Sequence, residues 1–292
     1  MKYFNRDRIS AFNIHYDRFT LDYFLACQEK LGVTHVELLS GGQALYHDPY
    51  GHTDPAPVRK MLEDHGISCI CISPNNCGYQ YQFAHIDPVM REKSFEYFKT
   101  GMALGAELGV HLMQANSGWG FWNEGKEEGL KRSAEMHRRL AELGDEYDVT
   151  IACEALRPQE SLIGYNVYDI KRLFDMVDHP RFKVMIDITA MTVCGESIQQ
   201  WFDIFGSENI VHSHFQDSNP YGHLIWGNGT NDLNDFLKTF YDNNYQGYFS
   251  QELTVMDYFM DPLKYDRQNM YTLNQYFAKE GSGGRVFVPM PQ

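Results

Sequence analysis

Long apolar runs are absent from this sequence of 292 residues. No stretch reaches the roughly 18 apolar residues that a membrane-spanning helix needs. The first ten residues, MKYFNRDRIS, also lack the apolar segment of a secretory signal peptide. We therefore expect no membrane association and a location in the cytoplasm.

Positive charge is scarce and is not clustered. The chain has 25 Lys and Arg residues against 39 Asp and Glu residues, which gives a formal net charge of −14. Proteins that bind nucleic acids neutralise phosphates with clustered cations. The charge balance therefore argues against a nucleic-acid partner, while a hydrophobic fraction of 43% is that of an ordinary globular protein.

Cysteine is sparse, and its spacing is not that of a zinc ribbon. Four of the six cysteines lie in apolar runs such as ISCICIS and TIACEAL, where cysteine behaves as a small hydrophobic residue. We expect reduced thiols, as is usual in the cytosol.

Short apolar runs alternate with longer amphipathic segments along the chain. The apolar runs predict strands at about 8–14, 33–39, 67–74, 110–116, 150–156, 182–189, 210–217 and 247–254. The segments with helical periodicity are 20–31, 55–65, 88–108, 125–148, 167–178, 196–206, 231–243 and 262–279. Eight such units, with no Gly-rich phosphate turn after the first strand, predict a closed α/β barrel, the (β/α)₈ TIM barrel, rather than a doubly wound open sheet. We assign residues 1–280 to this single domain.

The end of the chain departs from the pattern. GSGG at 281–284 is followed by RVFVPMPQ, an apolar segment after a flexible hinge. Residues 281–292 therefore predict an extended tail, which either folds back over the barrel or lies across a neighbouring subunit.

Charged residues interrupt the apolar runs near the ends of the last four predicted strands. Catalytic sites of TIM barrels lie at the C-terminal ends of the strands, and a buried charge without a partner there would cost several kcal/mol. The residues, one for each of strands five to eight, are Glu154, Asp187, His214 and Glu252. Basic partners are missing at those strand ends, so a divalent metal ion explains the set better than a ring of salt bridges does. Three carboxylates and one imidazole favour Mn²⁺, with Co²⁺, Mg²⁺ and Zn²⁺ as alternatives.

Strand seven carries two histidines that face the same side of the strand, because they are two residues apart. His214 lies closer to the C-terminal rim than His212 does. We therefore predict His214 as the metal ligand and His212 as a packed or supporting residue.

Short motifs near these residues resemble those of the xylose isomerase-like TIM barrels, the sugar isomerase and epimerase superfamily. The motifs are EALRPQE at 154–160, ID at 186–187, HSHFQD at 212–217 and QEL at 251–253. The resemblance extends to about residue 279. Within the superfamily, SPNNCGYQY at 73–81 looks closest to the bacterial fructoselysine 3-epimerases and is more distantly similar to the tagatose and psicose 3-epimerases.

The resemblance implies a ligand set and a mechanism. The metal would be held by Glu154, Asp187, His214 and Glu252. Glu154 and Glu252 would also form the catalytic pair, one removing the proton beside a carbonyl and the other returning a proton to the opposite face. The implied activity is a keto-sugar isomerase or 3-epimerase that acts through an enediolate, with the metal polarising the carbonyl. Ala190 stands where the tagatose-type enzymes carry a histidine, so we expect a substrate other than a simple hexulose.

Loop residues at the same rim predict the substrate contacts. Polar side chains there would orient sugar hydroxyls or the metal ligands, and aromatic ones would stack on a sugar ring or an aryl group. The predicted contacts are Glu160, Asn166, Gln216, His223, Tyr79 and Trp119. Further aromatic residues expected at the rim are Tyr81, Phe83, Phe121, Trp122 and Trp226.

Other functions stay open on the sequence. The large subunits of bacterial C-glycoside deglycosidases are similar barrels, which cleave the carbon–carbon bond of 3-oxo-C-glycosides and work with a small β-rich subunit. The tail at 281–292 and the aromatic rim would suit such a lyase. A barrel that only binds sugars, or one whose metal only stabilises the fold, is the non-catalytic alternative. A related DNA-repair endonuclease is disfavoured by the net charge of −14.

By analogy with the superfamily, we expect a homo-oligomer or a hetero-oligomer with a small subunit.

Overall fold

The computed structural model describes residues 3–76, 78 and 80–277. The tail at 281–292 and the predicted substrate contact Tyr79 lie outside the described residues. Of the cysteines, Cys77 also lies outside, and the five described ones are free thiols.

Eight parallel strands close into a barrel in chain order. They are β1 Ile9–Phe12, β2 His35–Ser40, β3 Ser68–Pro74, β4 Leu112–Asn116, β5 Thr150–Glu154, β6 Phe182–Asp187, β7 Ile210–His214 and β8 Phe249–Gln251. The ring closes where β1 pairs with β8, with Ser10 opposite Ser250. The predicted single-domain (β/α)₈ barrel is therefore confirmed.

Helices surround the barrel and connect its strands. Those in the described residues are α1 Leu21–Leu31, α2 Ala56–His65, α3 Pro88–Glu107, α4 Lys126–Tyr147, α5 Val167–Val177, α6 Ile188–Val193, α7 Ile198–Phe205, α8 Leu233–Asp242 and α9 Pro262–Leu273. Helix α1 ends at Gly32 with a φ of 67°, a left-handed conformation that glycine adopts without strain. None of the described helices combines the length and the apolar character needed to cross a lipid bilayer.

The sequence did not predict every local feature. A short antiparallel hairpin pairs His47–Asp48 with Gly51–His52 between β2 and α2. Helix α6 begins directly after Asp187, where the apolar run had predicted that the strand continues to residue 189. The Asp187 side chain accepts a hydrogen bond from the backbone N–H of Ala190. This N-terminal cap starts a helix although the local residues are apolar.

Substitution of Gly144, in the last turn of α4, tests how closely this helix packs on the barrel. Replacing glycine by alanine inside a helix normally stabilises the helix by about 1 kcal/mol. A Cβ at residue 144, however, would lie 2.5 Å from the backbone oxygen of Val149. We expect Gly144→Ala to lower the free energy of unfolding by about 1–3 kcal/mol, measured by denaturant titration.

The control for this test is Glu146→Ala, because Glu146 lies in the same turn but is exposed. It should change the free energy of unfolding by less than about 0.5 kcal/mol. A Gly144→Ala protein as stable as the wild type would show that the helix end moves freely away from β5.

Candidate functional site

The register of the strands brings charged side chains to one rim of the barrel. Asp187 at the end of β6 lies opposite His214 at the end of β7, and His214 in turn lies opposite Ser250 of β8. Strands β7 and β8 end earlier than predicted, at His214 and Gln251. Glu252 is therefore the first residue after its strand and turns toward the rim with the others.

The predicted ligands converge at this rim. One ligand atom from each lies within 4.8 Å of the ligand atoms of the others, and the set is Glu154, Asp187, His214 and Glu252. Glu154 is 8% exposed and Asp187 is 3% exposed, so the carboxylates are largely removed from water. The structure thus brings together all the residues that the sequence predicted as metal ligands.

The Nδ1 atom of His214 lies close to two of these carboxylates. It is 2.7 Å from Oε1 of Glu154 and 3.1 Å from Oε2 of Glu252. A buried imidazole nitrogen and carboxylate oxygens that converge in this way are placed as ligands of one shared cation would be. The oxygen and nitrogen donors therefore fit a divalent ion of the Mn²⁺ type.

The two glutamates differ in their electrostatic surroundings. Burial raises the pKa of Glu154 to about 7, although the nearby His214 opposes the shift. Burial would also raise the pKa of Glu252, but His223 and His214 outweigh it and hold this pKa below its ordinary value. Two neighbouring carboxyl groups with pKa values pushed apart are suited to act as an acid and a base.

Glu37 in β2 belongs to the site but was not predicted. Its carboxylate is fully buried and lies 3.1 Å from Nε2 of His214 and 2.7 Å from Nε2 of His212. Burial alone would raise the pKa of Glu37, but these two imidazoles hold it well below its usual range. Glu37 fixes the His214 ring so that Nδ1 faces the carboxylates, as supporting carboxylates do at metal sites. His212 packs behind the ligand, which agrees with its predicted supporting position.

Two glutamines hold the carboxylate ligands. Gln114 in β4 donates from Nε2 to Glu154 at 2.8 Å, and Gln216 donates to Asp187 at 2.7 Å. Gln216 was predicted as a possible contact for sugar or ligands, and the structure places it behind Asp187 rather than in a cavity wall. Each amide orients its carboxylate by occupying one oxygen.

His223 lies beside the ligands on the cavity side. Its Nε2 is 3.2 Å from Glu252 and 3.5 Å from Asp187. Burial would lower the pKa of His223, but these two carboxylates outweigh it and raise the pKa to about 10. This imidazole therefore adds positive charge next to the carboxylates.

A cavity of about 550 Å³ opens above the cluster. Its floor is formed by the ligand residues, and apolar side chains of Phe12, Ile14 and Leu39 form part of its wall. This volume suits a small molecule. The Phe12 ring also stacks on His214, with ring centroids 5.4 Å apart.

The remaining predicted contacts have different positions. Glu160 lines the cavity. Asn166 lies outside the cavity wall, because its side chain caps α5 by accepting a hydrogen bond from the backbone N–H of Asp169 at 2.9 Å. Trp119 also lies outside the described wall, and its ring packs against Phe121 with centroids 4.9 Å apart. Substrate contact by Asn166 and Trp119 stays a prediction.

Comparison with known proteins agrees with this architecture. Residues 26–274 match the family described as the xylose isomerase-like TIM barrel. The chain belongs to this family. Among the similar proteins, a fructoselysine 3-epimerase from Escherichia coli O157:H7 is 25% identical over 274 residues, which are 89% of this chain and 95% of the relative.

Solved structures of two sugar epimerases share the fold. A 3-keto-D-glucoside 4-epimerase from E. coli has a TM-score of 0.74 and 15% identity, covering 92% of this chain and 100% of that chain. A D-psicose 3-epimerase, solved in the presence of D-fructose, has a TM-score of 0.75 and 17% identity, covering 94% of this chain and 98% of that chain. At these identities the likeness is one of fold.

Replacing Glu37 tests its supporting position. Glu37→Gln keeps the size of the side chain but removes the charge that faces the His214 and His212 rings. We expect affinity for Mn²⁺ to fall by about 10–100-fold, measured by calorimetric titration, while the circular dichroism spectrum is retained.

The matched control is Glu29→Gln, because Glu29 also contacts a histidine, with Oε2 3.0 Å from Nδ1 of His65, but lies on the outer helix α1. Its Mn²⁺ affinity should equal that of the wild type. Equal affinity in the Glu37→Gln protein would contradict the assignment of Glu37.

Proposed function

We propose that this protein is a divalent-metal-dependent isomerase or epimerase of keto sugars, which moves a proton beside a carbonyl through an enediolate. One observation carries the proposal: Glu154 and Glu252 approach the same nitrogen of His214, at 2.7 and 3.1 Å, and both line the cavity. A substrate above them would therefore meet two carboxyl groups beside one cation position.

The chain's own residues provide the proton transfers. One of Glu154 and Glu252 removes the proton from the carbon next to the carbonyl, and the other delivers a proton to the opposite face. A bound divalent ion, for which the donors favour Mn²⁺, would polarise the carbonyl and stabilise the developing negative charge. His214 and Asp187 would hold the ion together with the two glutamates, while Glu37 orients His214.

Relatives support sugar chemistry of this class. The similar proteins include enzymes named as epimerases of fructoselysine, D-psicose and a 3-keto-D-glucoside. Ala190 forms part of the cavity wall, and its small side chain leaves room for a ligand larger than a simple hexulose. A small carbohydrate with a keto group is therefore the proposed substrate.

The lyase alternative gains no support from the described residues. The tail at 281–292 on which it depended lies outside them. Two of the aromatic residues expected at the rim are packed in the interior instead, since Phe83 is 0% exposed and Trp226 is 2% exposed. The homo-oligomer, the small partner subunit and the cytoplasmic location stay predictions.

Hydrogen exchange tests the proposed reaction directly. Protein loaded with Mn²⁺ is incubated in D₂O with D-fructose, D-tagatose, D-psicose and a fructosamine, and exchange is followed by NMR. We expect deuterium at the carbon whose configuration changes. Glu154→Gln and Glu252→Gln should each slow exchange by at least about 100-fold at saturating metal, because each removes one partner of the proton transfer.

Glu127→Gln serves as the control, because Glu127 is an exposed residue of α4 and should not affect exchange. Metal content is measured for every variant, so that loss of metal is distinguished from loss of proton transfer. Unchanged exchange in both Glu154→Gln and Glu252→Gln would contradict the proposed proton transfer and would favour a protein that only binds sugars or whose metal only stabilises the fold. Release of a phenol from a 3-oxo-C-glycoside, without exchange in the ketoses, would favour the lyase.

Removal of the metal tests the other half of the proposal. Treatment with a chelator should abolish exchange, and added Mn²⁺ should restore it. The ion should also raise the melting temperature, since a ligand at 100 times its Kd stabilises the folded state by about 2.7 kcal/mol. Full activity in protein shown to be free of metal would contradict the metal-dependent mechanism.

A further inference from the structure

Arg157 is the only Lys or Arg among the described residues that line the cavity. Its guanidinium is paired with Glu160: Nε donates to Oε2 at 2.9 Å, and Nη2 donates to Oε1. The backbone N–H of Arg157 donates to the same carboxylate at 2.9 Å. Nη1 donates to the backbone oxygen of Tyr221 at 2.7 Å. The cation is thus bound on three sides by the protein itself.

This ion pair is held in place more firmly than a typical surface pair. The side chains of Arg157 and Glu160 are 25% and 17% exposed. Two parallel hydrogen bonds between a guanidinium and a carboxylate are among the stronger polar contacts in proteins. An anionic group of a ligand would therefore have to compete with Glu160 for the charge of Arg157.

The loop after β7 offers a second place where a phosphate could bind, but an internal carboxylate occupies it. TIM barrels frequently bind phosphate with loops after strands seven and eight. Here Asp217 accepts hydrogen bonds from the backbone N–H groups of Gly227 at 3.0 Å, Gly229 at 2.8 Å and Asn231 at 3.1 Å. These converging N–H groups are the kind that would hold a phosphate, and Asp217 saturates them.

The helix N-termini at this rim are capped in the same way. The N–H of Val167 at the start of α5 donates to the carboxylate of Glu196 at 2.8 Å. At the start of α8, Asp232 accepts hydrogen bonds from Asn234 and Asp235 at 3.0 and 3.1 Å. Helix N-termini are ready sites for anions, and here side-chain carboxylates already fill that position.

The remaining charge of the cavity wall is negative. Its described carboxylates are those of Asp17, Glu154, Glu160, Asp187 and Glu252. Arg157, the one Lys or Arg among the described residues of this wall, already faces Glu160, so no further Lys or Arg of the described wall balances these carboxyl groups. Like charges lower the affinity for an anionic ligand in a cavity shielded from water.

We propose that the Arg157–Glu160 pair selects against phosphorylated substrates: Glu160 withholds the guanidinium of Arg157 from the ligand, so that the site accepts keto sugars without a phosphate group and rejects sugar phosphates. The inference rests on the proposed function, because it takes a keto sugar as the ligand. It goes further in naming the class that is excluded and the residues that exclude it.

The test compares each sugar with its phosphate. Metal-loaded protein is assayed by deuterium exchange with D-fructose and D-fructose 6-phosphate, and with D-tagatose and D-tagatose 6-phosphate. The kcat/KM for the phosphate should be at least about tenfold below that of the parent sugar, because Glu160 already pairs with the guanidinium of Arg157. In Glu160→Gln the guanidinium is released from the ion pair. The ratio of kcat/KM for the phosphate to kcat/KM for the parent sugar should then rise about tenfold or more.

Two further variants distinguish the effect of the released positive charge from the effect of a loosened loop on this ratio. Arg157→Gln also breaks the pair but supplies no cation, so it should not improve the use of the phosphate. Glu128→Gln breaks an exposed pair of the same spacing, with Lys131 on α4 at 2.8 Å, and should leave the ratio unchanged. An unchanged ratio in Glu160→Gln would overturn the assignment of the pair.

Binding decides the inference independently of the reaction. If no sugar exchanges, the proposed function fails, and calorimetric titration with D-fructose and D-fructose 6-phosphate is then compared in wild type and Glu160→Gln. Binding of D-fructose by the wild type, with the phosphate gaining affinity in the variant, supports the inference. Tighter binding of the phosphate by the wild type, or binding of neither sugar, overturns it.

Discussion

Three carboxylates that converge with one imidazole at the rim of the barrel are the constraint on which this site depends. Closure of the barrel forces Glu154, Asp187 and Glu252 to within a few ångströms of His214, and little water remains to screen them. Such a cluster is stable only when a cation or a network of hydrogen bonds compensates it. Gln114 and Gln216 each donate a hydrogen bond to one carboxylate, and Nδ1 of His214 faces Glu154 and Glu252.

The compensation extends through the barrel interior. Glu37 is on β2 and His214 is on β7, so their contact crosses the space enclosed by the strands. The carboxylate of Glu37 holds two imidazoles at once, which fixes the ring that offers its nitrogen to the carboxylates. Strands rather than loops carry most of these groups, and rigid elements hold a ligand set more accurately than loops do.

The rim around the cluster continues the same electrostatic pattern. Three groups that could otherwise bind an anion are each bonded to a carboxylate of the protein. The guanidinium of Arg157 bonds to Glu160, the N–H groups of the loop after β7 bond to Asp217, and the N-terminus of α8 bonds to Asp232. The protein thus uses its own acidic side chains where related barrels could place a phosphate. Acidic residues exceed basic ones in the whole chain, and at this rim the excess has a structural purpose.

The sequence by itself determined the barrel and the four charged residues that meet at its rim. The alternation of apolar runs and helical segments is local, and charges at the ends of apolar runs are visible without any contact being known. Glu154, Asp187, His214 and Glu252 could be chosen because equivalent positions on parallel strands must meet at one rim. Glu37 carried the same signal within VTHVELL, but its strand is far from strands five to eight in the chain.

Only the tertiary structure decided which polar residues reach the site. Glu37 and His212 are 175 positions apart in the chain, and no local pattern predicts that they touch. Asn166 caps a helix instead of facing the cavity, and Glu160 faces the cavity with its charge already paired to Arg157. Loop side chains take their direction from caps and ion pairs formed after the barrel closes. Their positions therefore depend on long-range packing, which sequence periodicity does not encode.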